Sequence, residues 1–149
     1  MKEIYYVYNN EAIASCIFLS ILNKINKLDI ARSCLVLPFL LDDRTVNYLS
    51  KKQNVELVLE EIVKEQSRLF TSFNKRYLSL LPVTINSLTI LNTSNQISIG
   101  NEITTNAVLD IEENLGDRFN KIEEVIPKFL SIIQKYSTIQ LYKILKVQL

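Results

Sequence analysis

The sequence predicts a mostly α-helical fold, a compact helical domain with one small β-hairpin, winged-helix-like in the order of its parts. Three observations carry this. Apolar residues recur at three- and four-residue spacings through most of the 149 residues, with Asn, Asp or Ser where helices would begin. Glycine and proline are scarce, at 2 and 3, which favours long regular elements over a loop-rich β-sandwich. One segment alone, Ile97 to Ile103, alternates in the manner of a hairpin.

Asn9 or Asn10 is placed to cap a first helix, with Glu11 at the positive end of its dipole. Ile13, Cys16, Ile17, Ser20, Ile21, Ile25 and Leu28 follow helical spacing, and Phe18, Leu19 and Leu22 widen the apolar face. A helix apolar over so much of its circumference belongs in the core. In Ala31 to Leu41, Pro38 rules out a regular central strand, and a short buried helix interrupted at Leu37 is expected. Asp42 or Asp43 should cap a short helix ending near Lys51-Lys52. The longest helix is expected from Asn54 to about Leu80, with Val58, Ile62, Leu69, Phe73, Tyr77 and Leu80 on one stripe.

Pro82 suits the first turn of a new helix carrying Ile85, Leu88 and Leu91, stopped by Asn92-Thr93-Ser94-Asn95. Gly100-Asn101 then turns a hairpin spanning about residues 96–105. Residues 108–116 are acidic. From Asp117 a helix bears Phe119, Ile122, Ile126, Phe129, Ile132, Ile133 and Tyr136, and Pro127 should kink or restart it. Ser137 is placed to cap a final helix with Ile139, Leu141, Tyr142, Ile144 and Leu145. No repeat and no Gly/Ser/Pro linker divides the chain, so residues 1–149 read as one domain.

At 48% hydrophobic residues the chain can bury a real core. A net charge of +1 gives no long-range attraction for nucleic acid or anionic lipid. Cys16 and Cys34 lie in apolar runs without a CxxC pair and fit small buried hydrophobes in a reducing cytoplasm. Met1-Lys2-Glu3 runs into Ile4 to Tyr8 rather than a leader's apolar region, so no signal peptide is expected. The apolar run from Leu35 to Leu41 is far short of the ~20 residues a membrane helix needs.

With no histidine, no Ser-His-Asp or Cys-His nucleophile can be assembled. Two glycines cannot supply a phosphate-cradling loop. The acidic pairs Asp42-Asp43, Glu60-Glu61, Glu112-Glu113 and Glu123-Glu124 diverge by roughly 100° on a helix, which favours solvated surface over a metal or two-carboxylate site. No cofactor and no enzymatic activity are expected. Lys121, Lys128 and Lys135 recur every seven residues and form a candidate phosphate contact, diluted by Glu124. The candidate reading helix after Pro82 offers Asn86 and Asn92 but no cation, and the hairpin adds Glu102, which repels phosphate. The expectation is protein–protein contact, with a winged-helix DNA-binding regulator as the alternative. Candidate interface residues are Tyr5, Tyr6 and Tyr8, Ile97, Ile99 and Ile103 of the hairpin, and Tyr142.

Three blocks together resemble one family. The first runs from Asn9-Asn10-Glu11-Ala12-Ile13-Ala14-Ser15 to Ala31-Arg32-Ser33-Cys34-Leu35-Val36-Leu37-Pro38-Phe39-Leu40-Leu41. The second runs from Phe73-Asn74-Lys75-Arg76 through Leu81-Pro82-Val83-Thr84 to Ser87-Leu88, with the hairpin after it. The third is Ser137 to Val147. In this order they are similar to the middle component of bacterial three-component ABC systems, whose relatives include the small middle subunit of Lamassu-type defence systems. The chain departs from that pattern at Asn10, where proline is common, at Lys146, where glycine is common, and over about 106–117. The resemblance implies a cytoplasmic adaptor beside an SMC-like ABC ATPase and a separate effector such as a nuclease. It also implies action against phage or plasmid DNA, with DNA reached through the complex and no membrane involved.

Overall fold

The computed structural model describes residues 10–52, 56–106 and 115–148. Helix α1 (Glu11–Ile25) starts where the Asn10 carboxamide oxygen accepts from the amides of Ala12 and Ile13, at 3.0 and 3.2 Å. It supplies Ala14, Ile17, Phe18, Leu19, Ile21 and Leu22 to the core. The expected helix ends earlier than Leu28. Asn26 takes φ 65, a conformation that Asn tolerates, and the chain turns into strand β1 (Lys27–Asp29) with Leu28 facing inward.

Asp29 then caps α2 (Ile30–Ser33), its carboxylate accepting from the Arg32 amide at 2.7 Å. Helix α3 (Val36–Leu40) follows, buried along its whole length. The interruption expected at Leu37 falls at Cys34-Leu35 instead. Pro38 occupies the third position of α3, inside the first turn, where its missing N–H has no intrahelical partner to lose. Asp42 caps α4 (Asp43–Lys51), accepting from the Thr45 hydroxyl at 2.6 Å.

The single long helix expected up to Leu80 is replaced by α5 (Leu59–Glu65), α6 (Ser67–Phe70) and the start of α7 (Phe73–Thr93). Gln66, at φ −114 and ψ 45, breaks the first junction. Phe70 and Phe73, on either side of the second break, both reach Phe39, with ring centroids at 5.7 and 5.5 Å. The expected cap Asn54 lies outside the described residues. Pro82 corrects a second expectation. It does not open a new helix but sits inside α7. It is exposed, as is Leu78, whose carbonyl loses its partner to the proline; water on that face can take the freed acceptor.

Strands β2 (Ile97–Ile99) and β3 (Glu102–Thr105) form the hairpin, and β1 pairs antiparallel on the far side of β3, giving the order β1-β3-β2. Register pairs Ile99 with Ile103 and Leu28 with Ile103, so the turn spans Gly100-Asn101-Glu102. Gly100 does not adopt positive φ there. Helix, strand, helices, long helix and hairpin thus follow in winged-helix-like order, with the hairpin directly after α7.

Helix α8 (Asp117–Ile133) runs unbroken through exposed Pro127, and the residues expected to be buried on it, Phe119 to Ile133, are buried. Helix α9 (Thr138–Ile144) opens on a complete capping box from Ser137 and Gln140. One apolar cluster joins α1, α3, α7, α8 and the sheet, with Phe39, Phe73, Phe119 and Phe129 among its largest fully buried side chains.

Candidate functional site

Among the described residues, two apolar surfaces stand out as open. The first is the outward face of α7. Leu78 and Ile85 are 54% and 55% exposed and, seven residues apart, share one face with Pro82 between them; Ile90, 52% exposed, stands about 140° round the helix from Ile85. The cations of α7 stand at its N-terminal end. Lys75 is exposed, whereas Arg76 turns inward, donating to the Pro38 carbonyl at 3.1 Å and lying 3.8 Å from the Asp42 carboxylate. From Tyr77 to Thr93 the helix carries no charge at all. Asn86 donates to the Glu11 carboxylate at 3.2 Å, tying the face to the start of α1.

The second surface is a groove of about 710 Å³ between α2 and α9. Tyr77 and Tyr142 meet edge to face behind it, centroids 5.9 Å apart and planes at 80°. The Tyr142 hydroxyl donates to the Ala31 carbonyl at 2.6 Å and lies 3.3 Å from the Tyr77 hydroxyl. Burial, then the hydrogen bond with Tyr77, pushes the Tyr142 pKa up. Ala31, Cys34, Thr138, Ile139 and Val147 line the walls, with Lys143 and Lys146 at the rim. Arg32 pins the region by donating to the Thr138 hydroxyl at 3.1 Å and to the Tyr136 carbonyl at 2.5 Å.

The residues singled out in the sequence divide. Tyr5, Tyr6 and Tyr8 lie outside the described residues. Ile97 and Ile103 point into the core at 1% and 0% exposure; Ile99, the third hairpin candidate, is open. Tyr142 is half-buried, with its ring edge in the groove. The three lysines at heptad spacing do not present alike. Lys121 is exposed beside a small cleft with Asp43 and Asp117. Lys128 donates to the Leu49 carbonyl at 2.9 Å, and Lys135 to the Leu57 carbonyl at 3.1 Å and the Glu56 carboxylate at 3.2 Å. Cys16 and Cys34 are half-buried rather than fully so, and burial raises both thiol pKa values.

Sequence reasoning missed the α7 face as a surface, and of the groove it singled out Tyr142 alone. Leu78 and Ile85 were legible at seven-residue spacing, a signal masked once Pro82 was read as a helix start. The groove joins residues more than 100 positions apart and left no local trace.

Among the described residues no cluster of three or more His, Cys, Asp or Glu could hold a metal, and no helix is long and apolar enough to cross a membrane. No curated protein matches the chain, and no solved structure does. A family model described as the ABC-three component (ABC-3C) system Middle Component 3 matches residues 1–149. The chain therefore belongs to the middle components of ABC three-component systems.

Proposed function

We propose that this chain is a non-catalytic adaptor, a single domain over residues 1–149, that links an SMC-like ABC ATPase to an effector such as a nuclease. The complex would act in cytoplasmic defence against phage or plasmid DNA, as Lamassu-type systems do. The observation that carries the reading is the outward face of α7. In a DNA-reading winged helix, the helix before the wing presents cations and hydrogen-bonding side chains to the duplex. Here that helix offers Leu78, Pro82 and Ile85 on one face and no charge beyond Arg76. Exposed apolar side chains grouped on one face mark protein contact. Family membership supplies the kind of partner, since a middle component works within a multi-component ABC system.

The winged order of the sheet keeps a DNA-binding regulator as the competing reading. Co-expression with the ATPase and effector encoded beside it separates the two. The adaptor reading expects a stable complex and no sequence-selective shift of duplex DNA by the isolated chain at moderate salt. A tight, selective shift without partner association would replace it with the regulator.

A further inference from the structure

The groove beside Tyr142 lies on a different element from the α7 face, and its rim has an unusual construction. Helix α9 ends in a Schellman arrangement: the Val147 amide donates to the Tyr142 carbonyl at 3.1 Å and the Lys146 amide to the Lys143 carbonyl at 3.2 Å. The residue between, Lys146, adopts φ 55. Glycine is the usual occupant of that position because a Cβ is disfavoured there. Lysine accepts the strain and puts an ammonium at the groove. Strain of this kind concentrates at functional positions.

Lys143 stands one turn away on the same rim, and both lysines are exposed. Neither side chain has a hydrogen-bond or ion-pair partner among the described residues. The nearby carboxylate, Asp29, is already engaged by Arg32 at 3.7 Å and by the Thr138 hydroxyl at 2.6 Å. Beside the cations the lining is mostly apolar, with Thr138 and Gln148 among its polar members, and Ile139 is 70% exposed, more than any other large hydrophobic side chain described. Two exposed positive charges on one rim of an apolar trough define a complementary ligand. It has an apolar side chain to cover Ile139 and Val147 and a carboxylate to meet the lysines.

We infer that this groove docks a short acidic-apolar segment of a partner protein, the apolar side chain against Ile139 and Val147 and the carboxylate on Lys143 and Lys146. The partner's place in the same assembly rests on the adaptor reading above; the chemistry of the segment does not. Nucleic acid fits less well, because its phosphates would satisfy the lysines while its polar base edges lay on Ile139 and Val147 without hydrogen-bond partners.

The test uses the isotope-labelled full chain and three probes. These are a short peptide with a leucine-phenylalanine core flanked by glutamates, the same core flanked by lysines, and an oligothymidine strand. The glutamate peptide should shift the amides of Ala31, Ile139, Lys143 and Val147, binding at least about tenfold more tightly than the lysine peptide and weakening as salt rises. Lys143→Glu should reverse the peptide preference. Lys146→Gly should raise the melting temperature while lowering affinity for the glutamate peptide, an opposition that a purely structural role does not produce. Equal binding of the two peptides, shifts centred elsewhere, or preferential capture of oligothymidine at these amides would overturn the inference. Co-purification separates the two proposals. If a chain carrying Ile139→Asp and Lys143→Glu still retains the ATPase and effector as wild type does, the groove is not their dock and the adaptor reading stands. If wild type retains neither partner, the adaptor reading falls, and the groove is judged on the peptides.

Discussion

Lys128 donates its ammonium to the Leu49 carbonyl oxygen across 2.9 Å, joining the middle of α8 to the last turn of α4. The Leu49 carbonyl already accepts the Lys52 amide at 3.2 Å, and the last turn of a helix carries the negative end of its dipole, so the lysine adds a second, charged donor there. Seven residues on, just past the end of α8, Lys135 donates to the Leu57 carbonyl at 3.1 Å, in the segment that precedes α5 rather than at a helix end. Seven-residue spacing, which on an isolated helix suggests a stripe for phosphate, here serves to seat α8 against the chain that follows α3.

Lys128→Met keeps the aliphatic stem and removes the charge. It should cost about 1 kcal/mol in urea unfolding, the scale of one hydrogen bond lost from a helix end. Lys121→Met, at an exposed position, should stay within about 0.5 kcal/mol of wild type. If the two substitutions cost the same, Lys128 is not bearing on Leu49.

Arg76 donates to the Pro38 carbonyl at 3.1 Å and the Ser72 hydroxyl at 3.0 Å, and it lies 5.2 Å from the Phe73 ring centroid. Its side chain and that of Asp42 are each 12% exposed. Removing one member of such a pair leaves the other poorly solvated. Arg76→Met should destabilise by about 2–4 kcal/mol, held below the upper end for buried pairs because Asp42 keeps the Thr45 hydroxyl. Thermal unfolding followed by circular dichroism reads this directly.

Alkaline pH provides a third check. The Tyr142 pKa is raised by burial and by its hydrogen bond with Tyr77, so the folded chain holds a proton that the unfolded chain releases above about pH 10. Its contribution is whole below the unfolded value and declines as pH climbs from there toward the folded one. Cys16 and Cys34, raised by burial, add the same sign from about pH 8.5 upward. Stability should therefore fall as pH passes from about 8.5 to beyond 10. Tyr142→Phe should cost about 1 kcal/mol at neutral pH and flatten the upper part of that fall. An unchanged slope in the variant would detach Tyr142 from the alkaline transition.

Pro82 interrupts the hydrogen-bond ladder of α7 on its exposed side. Pro82→Ala restores a donor for the Leu78 carbonyl. The isolated chain should gain about 1–2 kcal/mol, less than the full ~3 kcal/mol penalty of an interior helix proline because the backbone is already adapted to it. A loss of stability would mean that the ring packs usefully where it sits.

Much of the fold was legible where the cause is local. Asn10, Asp42 and Ser137 cap their helices through contacts within three residues, and those starts read correctly from the sequence. The hairpin followed from alternation around Gly100-Asn101. Strand β1 did not, because Leu28 sits three residues after Ile25 and looks like one more helical turn; only Ile103 and its neighbours, far along the chain, make Lys27–Asp29 a strand. The break at Gln66 has no local signal either, since glutamine is a good helix former yet leaves the helical region there at φ −114 and ψ 45. Pro82 misled because a proline at a helix start and one on a solvated helix face look alike until the face is known. The candidate surfaces suffered most. Ile97 and Ile103 alternate with exposed positions, and alternation alone does not say which side faces the core.

The most direct test is affinity co-purification of the full chain with the proposed ATPase and effector partners, comparing wild type with an Ile85→Glu, Leu78→Glu double variant. Wild type should retain both partners, and the double variant should lose at least one while its melting temperature stays within a few degrees of wild type. Equal retention by both proteins, or no retention by wild type, would contradict the adaptor reading.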